Sequence, residues 1–406
     1  MGESEEELRS GPAGIAGVEP APGGNRAFTY DVTVSVWQGF HVEPLAKGLI
    51  EAGFSVLGLG TKRRAFSSTR YRLCMRSAVL TQMAFRVPRL RPWLMGKALD
   101  SFESFARTHA GSSRIFWGWC NHHLSALEKA KAAGATIVVE SGSSHAEWQR
   151  DRMREEYRRR GWTDTSSIDK NRIAKAVREY AIADRICVPS GFVRDTFLER
   201  GVAQEKLVMN PYGADAEIWR EVAEARAAKS PDGPFTFVFT GSVMLRKGVA
   251  HLLRAWEVLG DDEAELWLVG GVHPDCREML ASLPRGVRVF GFQPWRELVD
   301  LYRRADVYVL PSLEEGMARS VLEAMAAGLP VIVTWETGTT DVMVDGEDGW
   351  VVRAADAEAL AQAMGEAIDC RDRLGEMGAS ACARMQKFSW DAYSERTATM
   401  ARGLLD

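Results

Sequence analysis

Residues 307–310 read Val307-Tyr308-Val309-Leu310. They run into Pro311-Ser312-Leu313-Glu314-Glu315-Gly316-Met317-Ala318-Arg319-Ser320-Val321-Leu322-Glu323-Ala324-Met325-Ala326-Ala327-Gly328-Leu329-Pro330-Val331-Ile332. A β-branched and aromatic run, a Pro/Ser-marked loop, a stretch of 3.6-residue apolar period, a glycine stop and a second β-branched run predict strand, loop, helix, strand. Val321, Leu322, Met325, Ala326 and Leu329 make one stripe that must be buried, which leaves Glu323 off it near the helix start. Two strands joined by one helix in this way are the unit of a parallel sheet.

The same alternation extends in both directions. After the turn Pro231-Asp232-Gly233-Pro234, strands are predicted at 235–240, 265–269, 287–290, 307–310 and 330–334, with helices at 249–259, 274–282, 295–304 and 319–327. Upstream, strands at 30–36, 54–59, 114–117, 135–139, 185–188 and 206–209 alternate with helices that include 44–52 and 190–200. Residues 1–26, acidic and then rich in Gly, Pro and Ala, cannot bury enough apolar surface to offset their ordering entropy and read as a disordered leader. The expected architecture is α/β: two doubly wound Rossmann-like domains, 27–230 and 231–388, facing an interdomain cleft. Ligands in such sheets bind beyond the carboxyl ends of the strands.

A chain of 406 residues has room for two such cores. Net charge is −4, with 51 Lys and Arg against 55 Asp and Glu, so a generally basic nucleic-acid binder is excluded and no nucleic-acid partner is expected. The six cysteines contain no C-x-x-C pair and no disulfide framework, which reads as a reduced, cytoplasmic protein. No stretch of about 18 to 20 residues is continuously apolar.

Three loops carry chemistry. Glu315 lies past a strand end, and the helix beginning at Arg319 offers free N–H groups and a positive dipole end to an anion, so Glu315 and Glu323 would flank a phosphate. Gly316, Met317, Ala318, Ser320 and Val321 complete that loop and first helical turn. The second loop, Gly241-Ser242-Val243-Met244-Leu245-Arg246-Lys247-Gly248, follows a strand and places Arg246 and Lys247 beside a diphosphate, where they would neutralise a leaving group. G-x-x-x-x-G-K-[ST] is absent, so this is not a P-loop. The third, Trp37-Gln38-Gly39-Phe40-His41, has one glycine; without G-x-G-x-x-G a dehydrogenase is disfavoured, and Gly39 by itself reads as an ordinary tight turn.

The string from 311 to 332 resembles the signature of the family 4 glycosyltransferases, retaining enzymes of the GT-B fold. That signature has two glutamates separated by seven residues in P-S-x-x-E-G-x-x-x-x-x-x-E-A-M-A-x-G-x-P-V. The resemblance implies that Glu315 grips the donor sugar and supports an oxocarbenium-like transition state, while Glu323 holds the nucleotide ribose. Lys247 matches the lysine of the family's G-R-x-x-x-x-K-G loop; its arginine is Ser242 here, so either Arg246 substitutes or phosphate binding is weaker. The family's Gly-Phe-Gly is Gly316-Met317-Ala318 here, which implies a sugar pocket unlike the usual hexose one. His145, after Glu140-Ser141-Gly142-Ser143-Ser144, matches a histidine the family sets near the sugar's primary hydroxyl; a surface helix cap is the alternative. By the same likeness Gly39 is a donor or acceptor contact, with the tight turn as its alternative, and the C-terminal helix, residues 389–406, crosses back to the first domain.

His122-His123 has no partner at metal-ligand spacing and reads as a surface feature. No Asp-x-Asp occurs, so no metal and no other cofactor is expected, and diphosphate charge falls to cations and a helix dipole. Residues 62–160 hold about 20 Lys and Arg against about 8 acids. Apolar residues interleaved through 62–97 make this a basic amphipathic surface, for peripheral contact with the inner face of a membrane, for an acidic acceptor, or simply solvated. The function these features imply is transfer of a sugar from a nucleotide sugar, UDP-linked, to a small-molecule or lipid-linked acceptor. A non-catalytic nucleotide-sugar or membrane-surface binding protein and a nucleotide-sugar epimerase of the same build remain the alternatives.

Overall fold

A computed structural model describes residues 28–37, 41–62, 70–164, 169–227 and 233–406. The leader expected over residues 1–26 and the candidate Gly39 lie outside the described residues. Two parallel sheets form. The first contains β1 (Tyr30–Ser35), β2 (Val56–Gly60), β3 (Arg70–Leu73), β4 (Ser113–Trp119), β5 (Thr136–Glu140), β6 (Arg185–Val188) and β7 (Leu207–Met209) in the order β3-β2-β1-β4-β5-β6-β7. The second contains β8 (Thr236–Thr240), β9 (Glu265–Val269), β10 (Val287–Gly291), β11 (Val307–Leu310), β12 (Val331–Thr334) and β13 (Gly349–Val352) in the order β10-β9-β8-β11-β12-β13. Strand order reverses between β1 and β4 and between β8 and β11, and those two switch points locate the cleft.

Helices cover both faces. The first domain carries α1 (Val42–Glu51), α2 (Met75–Arg86), α3 (Arg91–His109), α4 (Leu124–Ala132), α5 (Ala146–Arg159), α6 (Lys170–Ile182) and α7 (Gly191–Leu198). Next come α8 (Ala216–Ala227), α9 (Val249–Leu259), α10 (Trp295–Arg304), α11 (Arg319–Ala326), α12 (Ala357–Asp369), α13 (Leu374–Met385) and α14 (Trp390–Leu405). Central strands such as β11 and β12 are buried on both faces, which is why they read as unbroken β-branched runs. Removing each such side chain from water is worth about 1.5–3 kcal/mol.

Several boundaries depart from the sequence reading. Residues 274–282 form two short 3₁₀ turns, Pro274–Cys276 and Met279–Ala281, in place of one helix; only Cys276 of that stretch is buried, too little to anchor an α-helix. The edge strands β3 and β13 went unread: β3 is Arg-Tyr-Arg-Leu and largely exposed, since an edge strand needs no apolar face, and β13 is only four residues long. Helix α8 packs on α10, α11 and α13, with Trp219 against Trp295 and Tyr302, so the chain crosses to the second domain ahead of the expected boundary at 231. The C-terminal helix α14 packs along α1, where Ser394 Oγ donates to Pro44 O at 2.7 Å. Gly48 is a glycine because a β-carbon there would collide with the Ser394 backbone.

Candidate active site

The carboxyl ends of five strands converge on one cavity of about 450 Å³ between the domains. From the first domain come His41 after β1, Trp119, Asn121 and His122 at the end of β4, and Glu140 to Ser144 at the end of β5. From the second come Lys247 after β8 and Glu315, Met317, Ala318, Arg319 and Ser320 after β11. Each domain thus contributes the loops of its own switch point.

The charged groups of the second wall form a coupled set. Lys247 Nζ lies 2.6 Å and Arg246 Nη1 2.9 Å from Glu315 Oε1. Burial pushes the Glu315 carboxyl up, but the two cations outweigh it and hold the group below the ordinary carboxylate range. Burial pushes the Arg246 guanidinium down, and Glu315 with Glu314 outweighs that in turn. The loop bearing both cations depends on Gly248, whose φ of 74° is left-handed and whose missing β-carbon leaves room for the Pro311 carbonyl. Gly241, at the head of that loop, lies under the Lys247 methylene stem; Ser242 is exposed.

At the start of α11, Ala318 is extended (φ −70°, ψ 99°), so that position needs no glycine, and no side chain caps the helix. Ala318, Arg319 and Ser320 bring this helix start to the cavity wall. Tyr308 donates to Ser320 Oγ at 2.8 Å and fixes that hydroxyl. Glu323 sits one turn further on, 3.5 Å from Arg319; burial raises its carboxyl, with Arg319 opposing. Val321 is in the core. Gly316 faces the first domain, and a β-carbon on it would strike the Gly142 carbonyl.

Two histidine expectations meet different surroundings. His145 caps α5, accepting from Glu147 N at 3.3 Å, and its ring packs against Tyr180 and Phe197 without reaching the cavity lining. Burial lowers its pKa to about 4. The pair expected on the surface divides: His123 is buried and bonds Ser35 Oγ at 2.8 Å and Trp119 O at 2.9 Å, while half-buried His122 lines the cleft. Asn121, immediately before the pair, is held left-handed at φ 72°, a strained conformation of the kind that gathers at functional sites.

Sequence reasoning passed over Glu314, His41 and Glu140. Glu314 is fully buried and joins the domains: its Oε1 accepts from Ser143 Oγ (2.7 Å), Ser144 N (2.9 Å) and Ser144 Oγ (2.9 Å), and its Oε2 from Gln149 Nε2 (2.6 Å). Arg246 donates to the Glu314 carbonyl at 2.7 Å. Nothing local tells which of two consecutive acids faces a cation pair and which faces another domain. For Glu140 a signal existed, since an acid closing an otherwise apolar strand stands at the sheet's ligand-binding end. Among the described residues no group of three or more His, Cys, Asp or Glu is placed to hold a metal ion.

Residues 234–370 match a family model described as glycosyl transferases group 1. D-inositol 3-phosphate glycosyltransferase from Streptomyces scabiei is 32% identical over 194 residues, 44% of this chain and 43% of the relative. The enzyme of that name from Nocardia farcinica is 32% identical over 223 residues, 51% and 48% of the two chains. The chain thus spans about half the length of the curated relatives it matches. Among solved structures, sucrose-phosphate synthase from Thermosynechococcus elongatus superposes with a TM-score of 0.65 at 19% identity, covering 92% of this chain and 99% of that one. Anabaena HepE in complex with UDP and glucose gives 0.64 at 14% identity, covering 92% and 100%. The fold is the GT-B arrangement of two Rossmann-like domains.

Proposed function

We propose that this chain is a retaining glycosyltransferase of the family 4 type that moves a sugar from a nucleotide sugar, UDP-linked, to an acceptor hydroxyl. The observation that carries the reading is the convergence of Lys247, Glu315 and the start of α11 on one wall of the interdomain cavity, with Arg246 paired to Glu315 behind it. The group 1 match over that wall and the UDP in the HepE complex support it.

The donor's diphosphate lies against Lys247 and the first turn of α11, with Arg246 behind. As the bond between the sugar's anomeric carbon and the phosphate oxygen breaks, these positive groups stabilise the departing charge without a metal ion. Glu315, kept ionised by its two cations, holds the sugar and offsets the positive charge that develops on its ring. Glu323 takes the ribose. The acceptor oxygen attacks from the face the diphosphate leaves, and its proton passes to that phosphate, so the configuration is retained. His145 shapes the turn before α5.

Surface character suggests where the acceptor resides. Residues 70–99 contain no acid, and α2 and α3 expose Met75, Phe85 and Trp93 at 59–60% beside Arg76, Arg86, Arg89 and Arg91. That surface fits an anionic bilayer. No helix among the described residues is long and apolar enough to cross a membrane. The function is tested by thermal shift with UDP, GDP, ADP and TDP and their sugars, with and without EDTA. A ligand that binds only the folded chain raises its melting temperature by mass action. A UDP-selective rise unaffected by EDTA is expected, and no rise with any nucleotide would remove the reading.

A further inference from the structure

We propose that His41 and Glu140 form a hydroxyl-binding hook on the first domain's wall, and that its ligand is a neutral polyhydroxylated ring, a sugar or cyclitol, on the acceptor side of the cleft. The assignment of that ring as acceptor rests on the glycosyltransferase reading; the hook itself rests on the geometry of four groups.

His41 follows β1, lines the cavity and is only 5% exposed. Among the described residues no group hydrogen-bonds to its buried Nε2. A buried polar atom left unpaired is destabilising, so its persistence at a cleft points to a ligand. Glu140 is 2% exposed; its Oε1 accepts from Trp117 Nε1 at 3.1 Å and from Tyr393 at 3.4 Å, and its Oε2 faces His41 Nε2 at 3.7 Å. That separation is too long for a hydrogen bond.

The gap is held open from both sides. The imidazole is wedged among Tyr212, Tyr393 and Trp119, with ring centroids 4.4, 5.3 and 5.4 Å away, so it cannot swing onto the carboxylate. Trp117 and Tyr393 pin Glu140 in turn. One oxygen can stand at about 2.8 Å from two atoms 3.7 Å apart. A hydroxyl suits the position: its oxygen accepts from Nε2–H and its proton goes to Oε2, satisfying both groups. A phosphate or carboxylate would meet the buried acid, and a methyl would leave both groups unpaired. Trp119 and Tyr212 also line the cavity beside the hook and supply apolar surface suited to the C–H edges of a sugar or cyclitol ring.

The test uses the full chain with its histidine rings ¹³C-labelled, titrated with methyl α-D-glucopyranoside and with myo-inositol, alone and saturated with UDP. The His41 signal, identified by its loss in His41→Phe, should shift saturably with at least one of the two probes. His41→Phe and Glu140→Gln should each weaken that binding tenfold or more, while His41→Gln, which keeps a donor, stays within about threefold. UDP affinity, followed by calorimetry, should remain within twofold in every folded variant, and the melting temperature of His41→Phe should match the parent. Saturable probe binding that neither variant weakens, or no probe binding with the His41 signal unmoved, would overturn the proposal. Failure of UDP to bind would overturn the transferase reading alone, because the probes report on the hook without it.

Discussion

Replacing Glu314 with alanine tests whether a single buried carboxylate holds the catalytic cleft closed. The wild-type carboxylate accepts four hydrogen bonds from the first domain, at 2.6–2.9 Å, and lies 3.3 Å from Arg246, with no solvent exposure. Hydrogen bonds to a charged group are worth about 1.5–3 kcal/mol each but do not add, and breaking a buried pair from one side costs about 3–5 kcal/mol because its partner is left uncompensated. We take ~3–5 kcal/mol as the loss, and since its donors come from the opposite domain, most of it falls on closure. At about 1.4 kcal/mol per tenfold, the closed-to-open ratio should drop by two to three powers of ten. Glu156–His251 and Ser190–Gly316 also bridge the domains, so opening stays partial and the rest appears as a melting temperature lowered by several degrees. Small-angle scattering should show a larger radius of gyration for Glu314→Ala, and donor turnover should fall at least tenfold as Arg246 loses its anchor. Glu314→Gln, which keeps one acceptor, should lie between. Unchanged scattering, melting and turnover in Glu314→Ala would refute the reasoning.

The other expectations concern separate parts of the molecule. Lys247→Ala should lower donor turnover about a hundredfold or more, mainly in kcat, and should lower the melting temperature by a few degrees, because Arg246 alone is left to compensate the buried Glu315; steady-state kinetics and calorimetry check this. Gly316→Ala forces a methyl into the Gly142 carbonyl and should open the cleft without unfolding either domain, seen as increased scattering size with near-native circular dichroism. His145 and His123 titrate near 4 when folded and near 6.5 when unfolded, so the unfolded chain binds more protons between those values. Stability should therefore be full above about pH 6.5 and fall as pH drops toward 4; His145→Asn, which keeps a cap, should flatten that slope in melting curves, and an identical slope would count against the assignment. Sedimentation with vesicles of phosphatidylglycerol should retain the chain more than phosphatidylcholine vesicles do, and Trp93→Ala with Arg89→Ala should weaken retention.

The two parallel cores were legible because a strand buried on both faces has to be continuously apolar and its crossover helix has to carry a 3.6-residue stripe; Val307–Leu310 and Arg319–Ala326 show both. Edge strand β3 and the paired 3₁₀ turns near Cys276 obey no such rule, since little of either is buried. Motif spacing likewise placed Lys247 and Glu315 on loops past strand ends, where strand direction carries any side chain toward the cleft.

Local pattern determined the architecture, the switch-point loops and the cationic wall, because these follow from periodicity and from the direction of a strand. Tertiary structure alone decided that Glu314 turns to the other domain while its neighbour Glu315 meets two cations, that His145 faces a core and His122 the cavity, and that His41 stands 3.7 Å from Glu140. Those contacts join residues dozens to hundreds of positions apart. Their distances depend on how two domains and a returning C-terminal helix pack, and short-range sequence carries no record of that packing.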